Sequence, residues 1–186
     1  LSSTTQWSKK KFGASLPESN PTVIKYPALW AFAEKLYAMR LEGRKRDIRT
    51  KTTNGVWSNY IGKIGEYEFV KIFGLEVDLS LTPKNDGGID FTFPDGRTID
   101  VKSRVYNEER KDLFIDIYER DRKTMKKLAD LYVAMYVTMP EQETFSGGYI
   151  TREELKRCEV RFLNGKFLYY VPFIELRPIS ELKVVQ

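Results

Sequence analysis

The sequence predicts an α/β fold, a mixed central β-sheet flanked by helices, with a basic helical extension at its N-terminal end. Three observations predict it. Apolar residues recur at 3.6-residue spacing over 26–41 and 59–73. Period-2 alternation flanks the turn Pro94-Asp95-Gly96. Apolar strand-like runs near 131–138 and on both sides of Asn164-Gly165 alternate with charged helical segments.

Taken in order, residues 1–24 read as an arm rich in Ser, Thr and Lys, interrupted by Pro17 and Pro21. Tyr26–Leu41 reads as a helix. Pro27 suits its first turn, Leu29, Trp30, Ala33, Leu36 and Tyr37 share one face, and Gly43 ends it. Arg44–Val56 reads as a polar, basic loop, and Asn59–Phe73 as a second helix stopped by Gly74. A hairpin over 87–103, a strand at Leu113–Tyr118 and a charged helix at Glu119–Leu128 follow. Leu131–Thr138 reads as a buried strand and Tyr149-Ile150 as a short one. Thr151 and Glu154 form a capping box that opens a helix to Arg157. Val160–Leu163 and Phe167–Val171 close the chain as a hairpin. The organisation expected is a basic arm and helix over 1–57 and a core over 58–186, in one compact unit overall.

Composition narrows the chemistry. Hydrophobic residues are 41% of the 186 and charged residues 31%, as in soluble globular proteins. No apolar run reaches membrane-span length and no signal-peptide pattern opens the chain, so a cytoplasmic location without membrane attachment is expected. The absence of histidine removes imidazole acid/base chemistry and His metal sites. One cysteine, Cys158, excludes disulfides and Cys/His zinc sites, and a small buried hydrophobe is its expected role. A metal held here needs oxygen ligands, which suit Mg²⁺, Mn²⁺ or Ca²⁺. Residues 1–60 carry 11 Lys/Arg against 4 Asp/Glu, whereas 61–186 carry 20 against 22. The basic clusters Lys9, Lys10, Lys11 and Arg44, Lys45, Arg46 are therefore candidate contacts to a polyanion, with a solvated tail as the alternative.

The hairpin carries the candidate chemistry. With Gly96 in a left-handed position after a type I turn, Phe93 faces Arg97, and continued pairing sets Asp90 opposite Asp100. Asp90, Thr92, Thr98, Asp100, Lys102 and Arg104 then share one face, and Ile89, Phe91, Phe93, Ile99 and Val101 the core-facing one. Opposed carboxylates repel unless a proton or cation lies between them, and a divalent ion resolves the conflict. Lys102 is placed to neutralise charge on a phosphoryl oxygen. A charged solvent face is the plain alternative. On the second helix, Glu66 falls in the stripe of Phe69, Val70 and Phe73, where an acid needs a partner, either a metal or a basic side chain. Glu68 falls on the opposite side and reads as a surface acid. Gly62 and Gly65 cost helix propensity, which suggests close approach.

Gly-x-x-Gly-Glu on a helix, then Asp90, then Asp100-x-Lys102 across a hairpin resembles the PD-(D/E)xK nuclease superfamily, which includes restriction endonucleases, archaeal Holliday junction resolvases and viral nucleases. The resemblance covers Gly62–Lys102 and extends loosely through 129–155. It implies a restriction-endonuclease-like core and a Mg²⁺-dependent DNA endonuclease, with Mn²⁺ as a substitute. Asp90, Asp100, Glu66 and the Val101 carbonyl would be ligands, Lys102 the catalytic lysine, and Arg104 part of the basic edge. It further implies a homodimer with one site per strand, acting in recombination, repair or viral DNA processing, in the host cell if viral. The literal Pro94-Asp95 lies in the turn and is a decoy, Ile89 stands where the family has proline, and no glutamine follows the lysine. RNA remains open as a substrate. A restriction-type enzyme and a non-catalytic nucleic-acid-binding protein that kept the fold are the alternatives. Trp7, Trp30 and Trp57 are expected to pack rather than stack on bases, and Asp116 to lie at the surface.

Overall fold

The computed structural model describes residues 24–43, 53–76, 79, 88–116, 129–163 and 165–183. Two helices come first, α1 (Pro27–Gly43) and α2 (Thr53–Phe73). They pack through Leu29, Ala33, Tyr60, Ile61 and Ile64. α2 starts six residues before its expected start at Asn59, and the predicted boundary at 57/58 lies inside it. Its early turn gains tertiary support: Trp57 packs on Trp30 at 5.8 Å between ring centroids, and Gly55 lies so close to Tyr37 that a Cβ there would meet the ring. Packing of an apolar face outweighs the weak helix propensity of Thr53-Asn54-Gly55. Trp30 and Trp57 are thus partly buried and pack against the helix–helix core; Trp7 lies outside the described residues.

The main sheet has the order β1 (Phe91–Thr92), β2 (Thr98–Val105), β4 (Leu131–Val137), β5 (Thr144–Thr151). β1 and β2 are antiparallel, β2 and β4 parallel, β4 and β5 antiparallel, so the sheet is mixed. Every residue of β4 is buried, as its unbroken apolar run predicts for a strand covered on both faces. β5 is longer than the dipeptide Tyr149-Ile150 predicted. Ser146-Gly147-Gly148 is poor strand sequence, yet it pairs with Ala134 and Met135 across an irregularity of register.

The two faces of the sheet are covered differently. Ile99, Val101, Leu131, Val133 and Met135 meet Phe69, Val70, Phe91 and Phe93 under α2. Tyr132, Ala134, Tyr136 and Ile150 meet Leu113, Ile115 and Val171 on the other side. Those last residues belong to a second, antiparallel sheet of β3 (Leu113–Asp116), β7 (Lys166–Val171) and β6 (Glu159–Leu163), in the order β3-β7-β6. The expectation of a sheet flanked by helices therefore holds on one face. Among the described residues a second sheet covers the other, because the alternate positions of β3 and β7 supply an apolar face of their own. The charged helix expected at 119–128 lies outside the described residues.

The short helix α3 (Arg152–Leu155) carries the predicted capping box. Glu154 N–H donates to the Thr151 hydroxyl at 3.2 Å, and Thr151 N–H donates to the Glu154 carboxylate at 2.9 Å. Cys158 is half-buried against the inter-sheet cluster. No helix among the described residues is long and apolar enough to cross a membrane.

Candidate functional site

The turn sets the hairpin. Gly96 adopts φ +85°, Phe93 N–H donates to Arg97 C=O at 2.9 Å, and the ladder pairs Thr92 with Thr98 and Phe91 with Ile99, the predicted register. Asp95 sits in the turn, bound to its neighbour Arg97 at 2.6 Å, and takes no part in the site. The ladder then ends one pair short of the expected Asp90–Asp100 opposition. Asp90 N–H donates to Ile99 C=O at 2.8 Å, and the Asp90 carboxylate accepts the Val101 N–H at 2.7 Å. Beyond Phe91 no described strand pairs with this side of β2. A carboxylate therefore caps the strand edge where the next rung would be.

Asp100 points away from α2. Its register partner on β4 is Tyr132, which belongs to the inter-sheet cluster. Asp100 is 3% exposed, so this part of the hairpin is not a solvated face. Lys102, one pleat on, holds the Asp100 carboxylate at 2.7 Å and keeps a third of its side chain in water. The Tyr132 hydroxyl is pushed up to about 12, first by burial and then by the charge of Asp100. Arg104 continues the same face. It is half-buried, and its guanidinium donates to the Asp112 carbonyl at the start of β3. Asp112 in turn accepts from the Tyr170 hydroxyl at 2.6 Å and from Phe173 N–H at 2.8 Å, which hold it below the usual carboxylate range.

α2 brings Glu66 from the opposite face of the sheet. Gly65 lies directly on β2 and β4: an added Cβ would collide with the Ser103 side chain, its Cβ at 2.7 Å, and would approach Met135 Cβ at 3.1 Å. Gly62 has no such neighbour, but its carbonyl accepts from the Ser103 hydroxyl at 3.4 Å. Only Gly65 therefore meets the expectation of close approach. Glu66 follows Gly65 round the helix towards the stripe of Val70 and Phe73, which pack on the hairpin. Its side chain is 13% exposed and pairs with Lys63 at 2.5 Å, the basic partner that the sequence left as the alternative to a metal. Glu68, expected at the surface, is also engaged: Tyr26 donates to it at 3.0 Å and Lys71 pairs with it at 3.1 Å.

The hairpin thus holds two separate contacts, Asp90 on Val101 N–H and Asp100 on Lys102, whereas α2 carries Glu66 over the face of the sheet opposite to Asp100. Among the described residues no three acidic side chains stand together as a ready metal site. Asp90, Asp100 and Glu66 each have a donor already, from Val101 N–H, Lys102 and Lys63. In kind the donors fit a hard divalent ion, being carboxylates and a backbone carbonyl, and the two lysines mark where positive charge is wanted. Lys9, Lys10, Lys11, Arg44, Lys45 and Arg46 lie outside the described residues, and the side chain of Asp116 is not described. An open cleft of about 800 Å³, lined by Lys111, Asp112, Ser146, Phe173 and Ile174 among others, lies apart from the acids. The sequence reading missed Tyr132 and Asp112. Nothing local marks either one, because strand pairing places the first, and Arg104, Tyr170 and Phe173 reach the second from distant segments.

Fold and site together define a mixed α/β protein with an acid-acid-lysine hairpin. No family model, curated protein or solved structure matches the chain.

Proposed function

We propose that the protein is a divalent-metal-dependent endonuclease of the PD-(D/E)xK type, with a restriction-endonuclease-like core, that hydrolyses phosphodiester bonds in DNA. The observation that carries this reading is that neighbouring residues of one strand engage both acids and the lysine: Asp90 on Val101 N–H and Asp100 on Lys102, both at 2.7 Å. A buried carboxylate with a half-wet lysine is costly equipment for a sheet face that Thr or Val would stabilise better.

In this reading Asp90, Asp100, Glu66 and the Val101 carbonyl would be the residues that hold Mg²⁺ or Mn²⁺. The bound ion would supply Lewis-acid polarisation of a phosphate oxygen and a more acidic water. Lys102 and Lys63 are the present partners of Asp100 and Glu66, and an ion at the acids would take over that neutralising role. Lys102, a third of whose side chain is in water, would neutralise charge building on the phosphoryl oxygen. Arg104 and the basic clusters Lys9–Lys11 and Arg44–Arg46 hold the backbone phosphates. Two copies of the chain would serve the two strands, with DNA favoured over RNA and a structured junction favoured over a sequence-specific duplex.

The test is cleavage of linear duplex, single strand, flap and four-way junction, with Mg²⁺ and with EDTA. Mg²⁺-dependent cleavage by the wild type, lost in Lys102→Ala with binding retained, is the expected result. A second reading draws on the internal partners of the acids: with Lys63 on Glu66 and Lys102 on Asp100, the cluster also serves as a purely structural charge network in a nucleic-acid-binding protein. Binding without cleavage on every substrate, under Mg²⁺ and Mn²⁺ alike, selects that reading.

A further inference from the structure

The outermost strand of the second sheet, β6, is built to be covered. It pairs with β7 on one side, and its other edge has no strand partner among the described residues. The pair that closes the two-residue turn, Leu163↔Lys166, exchanges both its backbone bonds, so Arg161 and Glu159 point theirs at β7 as well. The N–H and C=O groups of Val160 and Phe162 then face the open edge. The side chains there are apolar: Val160 is 49% exposed, Phe162 62% and Phe167 50%, with the two phenyl rings 4.9 Å apart. β6 has no proline and no irregularity of register, and its two charges, Glu159 and Arg161, neutralise each other.

We propose that β6 pairs antiparallel with β6 of a second copy about a two-fold axis through Val160, joining the two three-stranded sheets into one of six strands. The charges select both partner and register. Glu159 and Arg161 form an ion pair at 2.7 Å on one face of the strand, and the Arg161 guanidinium lies 3.4 Å over the Tyr170 ring. With Val160 on the axis, Glu159 faces the second copy's Arg161 and the reverse, so four charges alternate in sign, and Phe162 lies against the second copy's Cys158. An axis through Arg161 would set like charges against each other, which costs stability. A two-fold interface must be self-complementary, and this strand is. A nucleic acid along this strand would need an excess of basic groups on it, whereas within β6 Glu159 and Arg161 balance. This inference does not rest on the catalytic reading, and its readout is assembly, not cleavage.

Light scattering coupled to gel filtration of the full chain should give twice the chain mass. Val160→Lys and Phe162→Lys, both at exposed positions, should each raise the dimer dissociation constant about tenfold or more, with circular dichroism and thermal unfolding of the monomer retained. Residues opposed in such a pair have Cα atoms about 5.5 Å apart, within disulfide reach. In a Cys158→Ser background, Val160→Cys should therefore cross-link two copies on mild oxidation and Leu163→Cys should not. A monomeric wild type, a dimer indifferent to both lysine variants, or cross-linking at 163 in place of 160 overturns the proposal. So does a monomer whose Phe162 is instead required for binding single-stranded DNA.

Discussion

The Asp90 carboxylate accepts the Val101 N–H at 2.7 Å, so a side chain completes the edge of β2 where a neighbouring strand would otherwise continue. This bond and the negative charge are separable. Asp90→Asn keeps an acceptor oxygen, and Asp90→Ala leaves the N–H without one. The alanine variant should lose about 1–3 kcal/mol in urea unfolding, and the asparagine variant well under half of that. Both should lose Mg²⁺-dependent cleavage if the charge holds an ion. Full activity in Asp90→Asn would remove Asp90 from the ligand set.

Asp100 and Lys102 form the most exacting pair in the hairpin. Replacing Lys102 with Met strands a buried carboxylate and should cost about 1–3 kcal/mol, less than for a fully buried pair because Lys102 is partly in water. The double variant Asp100→Asn with Lys102→Met should recover most of that loss. Mg²⁺ should raise the melting temperature of Lys102→Met more than that of the wild type, since no lysine has to be displaced, and should leave Asp100→Asn unmoved. Equal shifts in all three proteins would argue against an ion at Asp100.

Gly65 is the closest approach of α2 to the sheet. Gly65→Ala should destabilise by about 1–3 kcal/mol despite its better helix propensity, because the new methyl meets the Ser103 side chain and Met135. Combining it with Ser103→Gly should restore part of the loss, and the coupling is read from a double-mutant cycle. A stabilised Gly65→Ala would mean that the helix packs further from β2.

Asp112 is held below its ordinary 3.8, first by the Tyr170 hydroxyl and also by the Phe173 N–H. A carboxylate lowered in the folded state contributes stability above the unfolded value and loses it as pH falls through the folded one. Tyr170→Phe removes the main cause. It should cost about 1 kcal/mol at pH 7 and progressively less below pH 3.8, measured as urea midpoints at each pH. A cost that is the same at pH 7 and pH 2.5 would assign the effect to packing against Phe114 and Arg161 instead.

Much of the local design was legible in the sequence. The hairpin register followed from Pro94-Asp95-Gly96, since a turn with a left-handed glycine leaves one way to align the flanking strands. The capping box at Thr151 and Glu154 needed only i,i+3 spacing, and Lys63 beside Glu66 is a local pair of the same kind. The errors came where packing outweighed propensity. α2 extends back to Thr53 because Trp57 has Trp30 to rest on, and β5 runs through Ser146-Gly147-Gly148 because β4 offers a ladder.

By itself the sequence determined which side chains of β2 share a face, for alternation and turn geometry act over a few residues and need no distant partner; it did not foresee that Asp90 turns to the strand edge instead of facing Asp100. What lies over each face was decided only by the tertiary structure. The parallel pairing of Ile99–Val105 with Leu131–Val137 sets Tyr132 beside Asp100, on the face toward the second sheet, where Asp100 is buried. The same layering leaves Val160 and Phe162 with nothing over them. Contacts between segments so far apart in the chain depend on how whole layers stack, and no short window of residues encodes that.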